Sequence, residues 1–182
     1  LQRPLAQDNG CPRRASFSSS HWLEWATGHL QTFCRELSES AEGGAVFGIQ
    51  ISNGLYGEWH QYGFILHDPD TGVASEAAFQ EWLKQRYRDE TSLNVAWGQS
   101  GLKWAEVVVP KSEAREVADC GILRDPALRR EVIDYFLFQH EKLAEVIIDL
   151  CATVRRVWSR PIVTAAFSGY FHNLFGRHAS GG

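Results

Sequence analysis

No methionine occurs in the 182-residue sequence, which starts at Leu1. A primary translation product starts with Met, so the chain is expected to be processed or cut from something longer. Long apolar runs are missing too. Stretches such as 146–148 and 162–167 fall far short of the roughly 18 consecutive apolar residues that a membrane-spanning helix needs. Residues 1–14 hold no apolar core ahead of a small-residue cleavage site, so neither a membrane span nor a signal peptide is expected. Positive charge is in short supply: 18 Lys and Arg stand against 22 Asp and Glu, a net of -4, with no basic footprint for nucleic acid. The four cysteines, at 11, 34, 120 and 151, form no CxxC and no zinc-type pairing. Cys34 and Cys151 fall on apolar positions of helical repeats, where a free Cys acts as a small hydrophobe. A Lys-bearing phosphate loop, a Gly-x-Ser-x-Gly elbow and a Cys-His dyad are all absent.

Aromatic residues are abundant instead. Seven Trp, ten Phe and five Tyr make up 12% of the chain, and such residues serve packed cores and sugar-binding clefts alike. After a loop over the first fifteen residues, a helix is expected to start at the N-cap Ser20, with Trp22, Ala26, Leu30, Phe33 and Leu37 as its apolar stripe. Residues 45–51 (AVFGIQI) are short, β-rich and nearly all apolar, which predicts a strand covered on both faces in a parallel sheet. Residues 52–72 read as a long functional loop. Ser75 is expected to cap a helix that turns Phe79, Trp82 and Leu83 to the core, and a short helix after Thr91 stops at Gly98. Asp125-Pro126 opens a long helix near 126–158. Its apolar face is read as Leu128, Val132, Ile133, Phe136, Leu143, Ile147, Leu150, Val154 and Trp158. Residues 161–167 then supply a second buried strand. Helices joining two buried strands make an α/β fold with a parallel crossover.

In parallel α/β architectures, ligand sites form on the rim where the loops leave the C-terminal strand ends. That rule sets the loop from Ser52 to His60 beside the loop from Ser168 to His172. Glu58, next to Trp59, is the best candidate there for a general acid, because a carboxyl group near aromatic, partly desolvated surface has its pKa pushed up. The bland alternative is a Glu that solvates a loop. Trp59, Tyr62 and Tyr170 are candidate stacking surfaces for a sugar, although loop packing would use the same residues. His60, His67 and His172 lack ligand spacing, and contact with solvent or sugar accounts for them better than a metal does. Asp68-Pro69-Asp70-Thr71-Gly72 reads as a turn, since its glycine and the residue at its expected bidentate position, Phe79, do not fit a calcium loop.

Five segments in order carry a family resemblance. They are RASFSS (14–19) with Trp22, GIQISNGLYGEW (48–59), AFQEWLKQRYRDETSLNVAWG (78–98), ILRDPALRREVIDYFLFQHEKLAEVI (122–147) and FSGY (167–170). Together they resemble the catalytic barrel of β-galactosidase-like glycoside hydrolases, the family 42 group and its relatives among the (β/α)8 retaining glycosidases. The resemblance implies that 45–51 and 161–167 are the fourth and fifth barrel strands and that residues 1–182 are a partial catalytic domain without a second domain. The fourth strand of that clan ends in an Asn-Glu pair whose Glu is the acid/base. Here Gly54 follows Asn53, and Glu58 is the nearest carboxylate.

The resemblance therefore implies glycosidic-bond hydrolysis with Glu58 as acid/base and Asn53, Trp59, His60, Tyr170 and His172 as substrate contacts. The nucleophile would lie outside the chain, because Glu106 and Asp119 fall between elements and Asp125 is a helix cap. The isolated piece would then be inactive. A carbohydrate substrate, no cofactor, no metal, no nucleic acid and no membrane are the partner expectations, with room for a homo-oligomer of the full-length parent. The competing expectation is a non-catalytic carbohydrate-binding or structural barrel segment, motivated by the missing Asn-Glu pair. Nothing in the sequence separates a cytoplasmic from a secreted location.

Overall fold

The structure, a computed structural model, describes residues 15–53, 57–59, 70–121 and 123–168. Its first helix, α1 (Ser20–Glu39), is capped by Ser19, whose hydroxyl accepts the amide of Trp22 at 3.1 Å. The cap thus stands one residue before the expected Ser20. The covered stripe of α1 runs through Trp22, Leu23, Ala26, Leu30, Cys34 and Leu37. It is rotated toward Leu23 and Cys34, which leaves Phe33 53% exposed. Burial pushes the Cys34 thiol pKa up, in keeping with a packed hydrophobe.

A 3₁₀ turn (Gly43–Ala45) occupies the start of the segment expected as strand. A Cβ on Gly43 would stand 2.6 Å from the carbonyl oxygens of Leu37 and Ser38, so only glycine lets the chain turn back there. The first strand is consequently shorter, β1 (Gly48–Ile51). The second, β2 (Glu58–Trp59), lies inside the segment read as loop. The last, β3 (Val163–Ser168), falls close to the expected 161–167. All pairing is parallel, and β3 is the strand to which both others bond. Arg160 ties the strand entrances together by donating to the carbonyls of Gly43, Gly44 and Val46 at 2.7–2.9 Å.

Between β2 and β3 lie α2 (Val73–Tyr87), α3 (Glu90–Trp97), a 3₁₀ turn (Trp104–Glu106), α4 (Ser112–Arg115) and α5 (Pro126–Val157). Ser75 sits inside α2, which starts after Gly72, because its hydroxyl is drawn inward to Tyr135 Oη at 3.2 Å instead of capping. Asp89 caps α3, and Gly98 ends it in the left-handed conformation at φ 63°, where glycine carries no Cβ penalty. Asp125 caps α5 with Pro126 at its first turn, as the sequence indicates.

Two cores result. One joins α1, the C-terminal half of α5 and one face of the sheet through Phe17, Cys34, Ile51, Trp59, Leu143, Val146, Leu150, Val154 and Trp158. The other joins α2, α3 and the N-terminal half of α5 through Phe79, Leu83, Leu93, Val107, Val109, Tyr135 and Phe138. The expectation of strands covered on both faces does not hold: Gln50 of β1 is exposed, and Val163 and Phe167 of β3 are each 60% exposed. Helices cover one face of the sheet, and among the described residues the other face is open.

Candidate functional site

The rim is built by an interrupted strand. Ile51 pairs with Ala166 of β3, and the next residue of β3, Phe167, pairs with Glu58. The chain thus leaves the ladder after Ile51 and takes it up again one rung further on. Neighbouring residues of a strand point to opposite faces. Trp59 is 1% exposed and belongs to the helix-covered core, so Glu58 projects to the open face, beside Phe167 and on the side of Gln50 and Ala165. It stands at the C-terminal end of the parallel ladder, where α/β folds place their ligands. Glu58 is the one carboxylate that β1, β2 and β3 carry.

The supports of this carboxylate come from the covered face. The indole N–H of Trp59 donates to the carbonyl oxygen of Ile51 at 2.9 Å, and the Phe17 ring lies 5.7 Å from that of Trp59. Phe17 in turn lies 5.6 Å from Trp22 of α1. The stacking role expected for Trp59 disagrees with this placement, because its ring is enclosed by the core and its polar edge is spent on the backbone. Asn53, half-buried, follows the end of β1 and is available near the rim. His60, Tyr62, His67, Tyr170 and His172 lie outside the described residues. The structure therefore brings Glu58 and Asn53 to the strand ends and moves Trp59 inward.

Sequence reasoning missed Gln50, whose side-chain amide donates to Ser52 Oγ at 3.3 Å from the open face. Its signal was the lone polar residue in GIQI, which a strand covered on both faces would not tolerate. It also missed the anchoring behind the rim. Ser16 Oγ donates to Asp70 Oδ2 at 2.5 Å, and the Asp70 carbonyl accepts from Tyr135 Oη at 2.6 Å. The segment read as a turn thereby links the N-terminal stretch to α5. Among the described residues, no group of three or more His, Cys, Asp or Glu is placed to hold a metal ion. No described helix is long and apolar enough to cross a membrane.

A chain of this kind has counterparts among known proteins. The glycosyl hydrolase family 42, described as beta-galactosidase, matches residues 11–179. No curated protein matches. Among solved structures, the beta-galactosidase of the psychrophilic Marinomonas ef1 superposes with a TM-score of 0.65 at 17% identity, over 96% of this chain and 25% of that one. The beta-galactosidase of Bacillus circulans sp. alkalophilus gives 0.63 at 17% identity, over 93% and 24%. At such identity the likeness is one of fold, that of a (β/α)8 barrel segment, and the chain spans about a quarter of the length of these structures.

Proposed function

Because the chain belongs to the beta-galactosidase family 42 of the glycosyl hydrolases, we propose that it supplies the acid/base half of a site that hydrolyses β-galactoside-like bonds with retention. The observation that carries the reading is Glu58 on the open face at the C-terminal end of the ladder. In this mechanism, the Glu58 carboxyl gives its proton to the glycosidic oxygen as the bond to the anomeric carbon breaks. A second carboxylate, from outside this chain and about 5–5.5 Å away, forms the glycosyl ester. The Glu58 carboxylate then takes a proton from the water that attacks the anomeric carbon and releases the nucleophile. Asn53 is proposed to bond a sugar hydroxyl near that carbon, and His60, Tyr170 and His172 to contact the sugar.

The test is Glu58→Gln in the full-length protein, assayed on aryl β-galactosides. Loss of the general acid is expected to lower turnover by about 10²–10⁴-fold on leaving groups that need a proton. A dinitrophenyl leaving group needs none and is expected to be spared in the first step. Turnover equal to wild type removes Glu58 from the chemistry. A second reading, a carbohydrate-binding or structural segment without catalysis, is favoured by Gly54 standing after Asn53 in place of the Asn-Glu pair. Product from any glycoside overturns that second reading.

A further inference from the structure

We propose that Trp59 is a positioning residue for Glu58, acting through the hydrogen bond from its indole to the Ile51 carbonyl; the inference rests on the acid/base reading of Glu58. The ladder itself poses the problem. Ala166 and Phe167 are consecutive on β3, yet their partners, Ile51 and Glu58, are seven residues apart in sequence, so β3 splices two separate stretches of chain. A strand of two residues, Glu58–Trp59, has too few backbone bonds to fix a side chain by itself. The splice needs another fastening.

Trp59 provides it from both ends. Its ring is held by the core beside Phe17, 1% exposed, while its N–H reaches back across the splice to the last carbonyl of β1 at 2.9 Å. A buried donor of this kind resists displacement, since losing its acceptor leaves it unsatisfied. Gly57, at φ 77°, closes the loop against Ser52, where an added Cβ would stand 3.4 Å from Oγ. Side chains alternate along the chain, so the rotation and height of Trp59 in the core set those of Glu58 on the open face. A misplacement of about 1 Å at a reacting group can cost on the order of 10²-fold in rate.

The experiment uses the full-length protein and a series of aryl β-galactosides of graded leaving-group acidity, with Glu58→Gln measured alongside. Trp59→Phe keeps the ring in the core and removes the N–H. It is expected to lower kcat/KM, which reports the first step, by about 10- to 100-fold on phenyl galactoside and by less than about threefold on the dinitrophenyl compound. A uniform loss across the series, or a change in melting temperature alone, overturns the proposal and leaves Trp59 as core filling. Gly57→Ala shifts the splice without touching the core and decides the matter should Trp59→Phe fail to fold: a leaving-group dependence sustains the proposal, and a flat series overturns it. If Glu58→Gln shows the dependence and both other variants do not, only the positioning role falls. If Glu58→Gln shows none, the acid/base reading falls and takes this inference with it.

Discussion

The two halves of α5 are buried by different physics. From Leu143 onward, the helix shows the sheet and α1 a single stripe at spacings of three and four, through Val146, Leu150 and Val154 to Trp158. The buried polar residue in that half, Thr153, returns its hydroxyl to the Asp149 carbonyl at 2.9 Å. The N-terminal half is covered on two sides. Asp134 and Phe138 stand across the helix from Val132, and Asp134, Tyr135 and Gln139 are all buried. The dry half coheres through area, which is indifferent to direction. The polar half coheres only while each group keeps its partner. The dry half lies beneath the strand ends and Glu58; the polar half fastens α2 and α3.

The sharpest way to break this comparison is to delete the central partner. Asp134 accepts from Tyr87 Oη at 2.5 Å, Trp97 Nε1 at 2.9 Å and Arg130 Nε at 3.0 Å, with Arg86 Nε at 3.7 Å. Asp134→Ala strands two guanidinium groups and two donors, and is expected to cost about 4 kcal/mol in urea unfolding. Leu143→Ala, in the dry half, leaves a cavity and is expected to cost about 3 kcal/mol. The order of the two matters more than their sizes: a smaller loss at Asp134 than at Leu143 would mean that the polar half, too, is held by area.

Alkaline pH separates the halves next. Burial, helped by the hydrogen bond to the Asp134 carboxylate, pushes the Tyr87 pKa above its ordinary 10. Burial raises that of Tyr135 as well, against the lowering effect of Arg115. A group with a raised folded pKa contributes its full stability below the unfolded pKa and loses it as pH rises through the folded one. Stability is therefore expected to fall as pH climbs above about 10, and to fall less steeply in Tyr87→Phe. Equal slopes for wild type and variant, in unfolding free energy against pH, would remove Tyr87 from the linkage.

What the sequence made legible divides along the same line. The stripe from Leu143 to Trp158, the Asp125-Pro126 start and the strand near 161–167 follow from spacing and turn chemistry, and the structure has them. The polar half was misread: the face read through Leu128, Ile133 and Phe136 leaves out Tyr135 and Phe138, which are buried with Asp134 and Gln139, and only tertiary partners make the burial of those polar groups tolerable. At the site, Glu58 was legible as a carboxylate among aromatics, while its return to the ladder was not. Rejoining a strand after an excursion depends on β3 offering the next rung and on Trp59 finding the Ile51 carbonyl, and neither is local to the sequence.

Leu128 gives the smallest effect and tests the reading of that helix face. Spacing makes Leu128 and Val132 equivalent, one turn apart, yet Leu128 is 65% exposed and Val132 is fully buried. The cause is the backbone at Arg129, which leaves helical geometry at φ -131° and ψ 26° and swings the first turn off the face that the rest of α5 buries. Leu128→Gln is therefore expected to change stability by no more than about 0.5 kcal/mol in urea unfolding. A loss above about 1.5 kcal/mol, the scale of a buried leucine, would mean that the first turn is continuous with the helix in solution and that the polar half has an apolar extension on its open side.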